Sequence, residues 1–202
     1  MKFSVAWRHL KTISKHRWIV FRLMCKCGYP LQGVVHDLSK FSATEFLPSA
    51  QYFQGNRSPI DAEKEAVGYS AAWLHHKGRN PHHWEYWVDF AENGEPIPAR
   101  IPYKYVIEMM CDFVAAGMTY SKEAWTQEEP LRYFDKVCKG RHYHPETKRL
   151  IHLYLTEIKK RGIDRACELA KNKFYNYCPN CGAEMKPNLD TTKEERRDES
   201  SG

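Results

Sequence analysis

Val34-Val35-His36-Asp37-Leu38-Ser39-Lys40 decides how the rest of this chain is read, because it sets two metal-competent side chains next to each other at a helix end, with a lysine within one turn. Adjacent histidine and aspartate do not chelate one ion comfortably from a straight helix. A carboxylate can, however, bridge two ions while its histidine neighbour binds one of them. The pair therefore calls for further ligands, and the chain supplies them. His16 lies upstream, His75-His76 and His82-His83 lie downstream, and Glu108 and Asp112 stand one helical turn apart.

Working outward, Phe3, Trp7, Leu10, Ile13, Val20 and Met24 recur at three- and four-residue spacing and predict a helix over residues 3–26. His9 and His16 fall on its apolar stripe. They are seven residues apart, roughly 10 Å along a helix axis, so one ion takes only one of them. His16 is the first choice and His9 the reserve. Gly28-Tyr29-Pro30 ends the helix, and a short apolar segment, Leu31 to Val35, leads into the His-Asp pair. Leu38 to Phe41 reads as a tight turn. Ser42-Ala43-Thr44-Glu45 is a capping-box pattern, in which the serine caps the Glu45 amide and the glutamate reaches back.

Ser58-Pro59 starts a helix that should run to about Lys77. Periodicity leaves open which of His75 and His76 faces a metal, since neighbours on a helix point about 100° apart. Asn80-Pro81 is the cap and first residue of a further expected helix, with His82 and His83 in its first turn and Trp84, Trp87 and Val88 on its apolar face. A loop from Asn93 to Arg100 closes it. Pro102 then opens a long helix carrying Val106, Met110, Phe113 and Val114, on which Glu108 and Asp112 share a side. Residues 127–139, 145–161 and 164–174 carry helical spacing and read as buttresses. His142, His144 and His152 lack partners at ligand spacing and read as surface or core residues, with Arg141-His142-Tyr143-His144 a stretch that could stand near a substrate.

In order, the candidate ligands read H, HD, HH, HH, D. That order resembles the metal-dependent phosphohydrolases of the HD superfamily over roughly residues 9–120, with His16-Arg-Trp-Ile-Val20 similar to an H-x-x-x-V opening and His36-Asp37-Leu-Ser-Lys40 to an HD-x-x-K turn. More narrowly, HLKTISKHRW, HDLSKFSATEF, NPHHWEYW and EMMCDF look like an uncharacterised bacterial and phage family. The resemblance implies an all-α, HD-domain-like helical bundle over residues 1–175, with the ligand-bearing core at about 9–120 and buttressing helices at about 121–175. It implies one or two divalent ions (manganese, iron, cobalt, nickel, magnesium or zinc) at His16, His36, Asp37, His75, His76, His82, His83 and Asp112. Asp37, Lys40 and Glu108 would act in catalysis, and Lys40, Lys77 and Arg79 would bind a phosphorylated small molecule or nucleotide. Two other functions fit the chain: a di-iron HD-like oxygenase, which uses the same ligands, and a non-catalytic, metal-stabilised module whose basic surface and zinc knuckle contact nucleic acid.

The 202 residues carry a net charge of +6 with histidines neutral, which favours anionic partners, and are 13% aromatic. The length suits one domain with a sizeable core and a small appendage. No run of eighteen apolar residues is present to cross a membrane, and the basic, amphipathic start does not read as a signal peptide, so a cytoplasmic location with no membrane partner is expected. Seven cysteines without an export signal argue for thiols or metal ligation. Cys178-Pro-Asn-Cys181 resembles half a zinc knuckle over residues 176–186. Cys25-Lys-Cys27 is the other close pair that could complete a structural zinc site. Residues 187–202 are polar, mixed in charge and read as disordered.

Overall fold

The first long helix, α1 (Phe3–Lys26), spans the stretch that periodicity predicts, and its buried face is His9, Ile13, His16, Val20, Leu23 and Met24. Phe3 and Trp7, on the same predicted stripe, are exposed, because the first turns extend past the body that covers the rest. The computed structural model describes residues 2–173, so both the knuckle assigned to 176–186 and the tail assigned to 187–202 lie outside the described residues.

The apolar segment after Gly28 is itself a short helix, α2 (Pro30–Val35), with proline in its first turn. It lies tightly against α1. A Cβ on Gly33 would stand 2.9 Å from Met24 Cβ and 3.1 Å from Phe21 Cα, so only glycine permits this approach. A 3-10 turn, Leu38–Phe41, follows the His-Asp pair and leads to α3 (Ala43–Gln51). The single helix expected from Pro59 to Lys77 is two. α4 (Pro59–Val67) stops at Gly68, whose φ of 88° is left-handed, and α5 (Ala71–Lys77) restarts where the Ser70 side chain accepts from the Trp73 amide.

The helix expected from Pro81 is absent. His82 and His83 sit in a turn, Trp84–Trp87 forms a 3-10 helix, and β1 (Val88–Phe90) pairs antiparallel with β2 (Pro96–Pro98), Val88 opposite Pro98. The Trp87 indole donates to the Pro81 carbonyl at 2.6 Å, folding the segment back on itself, and valine with aromatic neighbours suits a strand better than a helix. The hairpin reverses at Gly94, with φ 82°.

The last four helices match the predicted ones closely: α6 (Tyr103–Tyr120), α7 (Glu129–Val137), α8 (Pro145–Arg161) and α9 (Ile163–Lys173). α6 is the central element. Val106, Ile107, Met110 and Val114 are fully buried between α1 and α8, each worth about 1.5–3 kcal/mol of apolar burial. Its first residue is pinned as well: the Tyr103 hydroxyl meets that of Tyr154 and donates to the Ala170 carbonyl at 2.9 Å. The described residues thus make a predominantly helical protein with one small hairpin. No described helix is long and apolar enough to cross a membrane.

Candidate metal centre

Asp37 is the centre of the site, and its backbone is unusual. It has the only positive φ, 53°, among the described non-glycine residues. A left-handed L-residue costs roughly 1–2 kcal/mol, least for aspartate and asparagine. Here it turns the carboxylate inward between α2 and the 3-10 turn. Arg17 holds the approach, with Nε donating to the His36 carbonyl and Nη2 to that of Val34, both at 2.7 Å.

The two carboxylate oxygens of Asp37 face different partners. Oδ1 lies 3.1 Å from His76 Nε2 and 3.4 Å from His82 Nε2. Oδ2 lies 3.2 Å from His36 Nε2, 3.8 Å from His16 Nε2 and 2.6 Å from Lys40 Nζ. Asp112, from α6, repeats the arrangement: Oδ1 is 3.0 Å from His16 Nε2, and Oδ2 is 4.0 Å from His82 Nε2. Two sets of donor atoms share Asp37, His16-His36-Asp37-Asp112 and Asp37-His76-His82-His83, and a third, His36-His82-Glu108, lies beside them; within each set the atoms are within 4.8 Å of one another. Bonds of about 2.1 Å to one ion bring opposed donors to about 4.2 Å, so either Asp37 set could hold a metal ion after small adjustment.

The hydrogen bonds around these histidines decide which nitrogen is available. His36 Nδ1 donates to Glu108 Oε1 at 2.8 Å, and His82 Nδ1 contacts the same oxygen at 3.0 Å. His76 Nδ1 donates to Glu45 Oε2 at 2.8 Å, and His75 Nδ1 to Glu45 Oε1 at 2.6 Å. With the proton on Nδ1, each Nε2 presents a lone pair. Those lone pairs then face carboxylate oxygens and, between His36 and His16, another Nε2 at 3.4 Å. Acceptors facing acceptors in a dry site require a proton or a cation between them. Asp37 Oδ1 and the Nε2 atoms of His76, His82 and His83 are buried without a hydrogen-bond partner, and Asp37 Oδ2 has Lys40 beside it, so the unsatisfied atoms coincide with atoms that would bind metal.

Charge gives the same picture. Four carboxylates, Asp37, Asp112, Glu45 and Glu108, stand among the imidazoles, and one ammonium, Lys40, meets Asp37 and acts on Asp112. Burial favours their neutral forms, but the imidazoles and Lys40 win, holding Asp37 and Asp112 well below the usual range and Glu108 down to about 2. Burial lowers His36, yet Asp37, Glu108 and Asp112 together carry it up to about 10. His83 is instead held well below its ordinary value, by burial first and then by His82 and His76.

Several sequence expectations are revised by this geometry. The Ser42 side chain makes no cap, and Glu45 does not reach back as a capping box requires; it is buried and grips His75 and His76 instead. His75 belongs to neither donor set, whereas His82 and His83 belong to the same one. Asn80 does not cap a helix: its Nδ2 donates to the His76 carbonyl at 2.8 Å and to Ser39 Oγ at 2.9 Å, tying the end of α5 to the 3-10 turn. His9 is packed between Phe46 and Phe53, outside both sets. Of the cysteines, Cys25 is exposed and Cys27 buried, its Sγ 4.0 Å from that of Cys111, while Cys178 and Cys181 lie outside the described residues.

The cluster forms the floor of a cavity of about 620 Å³, to which His16, Lys40, His76, His82, His83 and Asp112 contribute. Trp73, Trp84, Phe113 and Tyr133 supply much of its wall. Lys77 and Arg79, expected to meet substrate, do not line it; Arg79 is exposed past the end of α5, where Asn80 turns in instead.

A mainly helical chain whose buried histidines and carboxylates could hold metal at the base of a cavity defines the class of protein. Residues 5–157 match the family of unknown function DUF5662, to which the chain belongs. No curated protein and no solved structure matches the chain.

Proposed function

We propose that this protein is a metal-dependent phosphohydrolase of the HD type, acting on a nucleotide or another phosphate ester. The observation that carries the reading is Asp37, whose two oxygens face two separate sets of histidine donors beside a lysine, at the floor of a cavity. Divalent ions held by these sets would supply Lewis acidity toward a phosphate oxygen and toward an attacking water.

The chain's own residues divide the remaining work. Asp37 and Asp112 each turn one oxygen toward either set. Glu45 keeps the proton of His76, and Glu108 those of His36 and His82, on Nδ1, so that these three Nε2 atoms point inward with their lone pairs. Lys40 lines the cavity and reaches the Asp37 carboxylate, close enough to swing to a non-bridging phosphate oxygen as negative charge builds there. The tryptophans and Phe113 exclude bulk water, which strengthens each of these interactions.

The test combines metal analysis with a turnover screen over nucleoside mono-, di- and triphosphates, cyclic dinucleotides and an aryl phosphate. Asp37→Ala should lose both metal and hydrolysis. Lys40→Ala should keep the metal and lose roughly 2–4 kcal/mol of transition-state stabilisation. Full metal occupancy without turnover, or turnover that survives Asp37→Ala, defeats the reading. Imidazole-rich donors also suit iron, so dioxygen-dependent absorbance changes in the iron form would replace it with the oxygenase reading.

A further inference from the structure

The far side of the same cavity carries cations that the cluster does not use. Arg141 is half-buried and lines the cavity with Arg132 and Lys136, which stand one turn apart on α7. Three exposed arginines of the described chain are paired with acids, Arg57 with Glu65, Arg149 with Glu146 and Arg165 with Glu168, and Arg17 is held by two carbonyls. Arg141 instead lies over the Tyr133 ring, 5.9 Å from its centroid, and among the described residues its guanidinium nitrogens reach only the hydroxyls of Tyr133 and Tyr143, each at 3.4 Å.

Two acids line the cavity near this end. Glu129 is taken up by the Ser121 hydroxyl, and Glu85 acts electrostatically on Tyr143 without forming an ion pair with Arg141 among the described residues. A half-buried guanidinium held by aromatic rings, with no acid paired to it among the described residues, is placed to meet an anion that enters the cavity.

We propose that Arg141, supported by Lys136 and Arg132, is a second anion-binding subsite of the cavity, taking a phosphate or carboxylate group of the substrate other than the one at the Asp37 cluster. The substrate is then a two-ended anion. Assigning this second group to substrate rests on the reading of the cluster as the place where a phosphate reacts; the anion site itself does not.

The test is titration of inorganic pyrophosphate into full-length protein stripped of divalent ions, followed by calorimetry, for wild type, Arg141→Gln, Arg141→Lys, Lys136→Gln and Lys40→Gln. Arg141→Gln should weaken binding roughly tenfold or more, Arg141→Lys less, Lys136→Gln about threefold, and Lys40→Gln least. Lys136 is exposed on α7, so its variant remains informative if Arg141→Gln does not fold. No pyrophosphate binding by wild type, or binding that depends on Lys40 and is indifferent to Arg141 and Lys136, overturns the proposal. Binding that depends on Arg141, in a protein with no turnover across the phosphate ester screen, upholds the subsite and defeats only the hydrolase reading.

Discussion

Replacing Glu45 by glutamine tests the metal centre through a residue that touches no proposed ion. The wild-type carboxylate accepts from His75 Nδ1 at 2.6 Å and from His76 Nδ1 at 2.8 Å, one bond per oxygen, in a buried position. An amide of the same shape has one acceptor oxygen and one NH2, so one imidazole N–H must face a donor. If that imidazole is His75, one charge-assisted bond is lost, about 1.5–3 kcal/mol. If it is His76, the ring relieves the conflict by moving its proton to Nε2, the atom 3.1 Å from Asp37 Oδ1, and the lone pair is no longer available. Losing such a carboxylate partner typically weakens a metal site by about 10–100-fold, or about 1.4–2.8 kcal/mol. The assay is competition for zinc or manganese against a chelator of known affinity, with circular dichroism to check the fold. His75→Ala serves as the control and should change affinity by less than about tenfold, because His75 lies outside both donor sets. A folded Glu45→Gln protein that binds metal within about twofold of wild type would refute the reasoning.

Gly33→Ala should destabilise the protein by about 1–3 kcal/mol in urea denaturation, since the new methyl would overlap Met24 Cβ and the Phe21 backbone. Arg17→Met should cost about 1–3 kcal/mol and weaken metal binding, because the carbonyls of Val34 and His36 lose their donors; unchanged chelator competition would show that the turn holds itself. His9 is depressed to about 4 by burial, with Lys40 adding to the effect, so it stays neutral in the fold while the unfolded chain takes up a proton near pH 6.5. The unfolded state therefore binds more protons between these values. Stability present above about pH 6.5 is lost as pH falls toward 4, by about 3 kcal/mol from this group. The stability difference between His9→Phe and wild type should shift by that amount between pH 7 and pH 4; a constant difference would exclude His9 as the cause.

The sequence makes the long helices and the His-Asp turn legible because their signals are local. α1, α6 and α8 each carry an apolar stripe long enough to be unambiguous, and a histidine beside an aspartate at a helix end is conspicuous at any depth of burial. Glu45 is the opposite case. Ser42 to Glu45 satisfies a capping pattern on local grounds, and only the long-range arrival of α5 turns the glutamate inward. The choice between His75 and His76 is hidden for the same reason, since it depends on how α5 sits against α3. The turn at His82 and the hairpin after it escape a helical reading because Pro81 and the aromatic run fit either structure. The indole of Trp87, folding back on the Pro81 carbonyl, decides between them. Arg141 lies in a stretch that the sequence places near a substrate, but an arginine without a counter-ion is recognised only by what fails to surround it.

Among the carboxylates flanking the histidines, Asp112 is the most accessible, with 19% of its side chain exposed, and it opens on the cavity while Asp37, Glu45 and Glu108 are sealed. An ion reaching the cluster would therefore pass the same mouth as the anion proposed above. If both bind, occupancy of that mouth would make exchange a gated process: a resident phosphate should slow the stripping of metal by a chelator without altering the final equilibrium in proportion. A protein with this layout would keep its inorganic complement longest while it is busy, and surrender it most readily when starved of ligand.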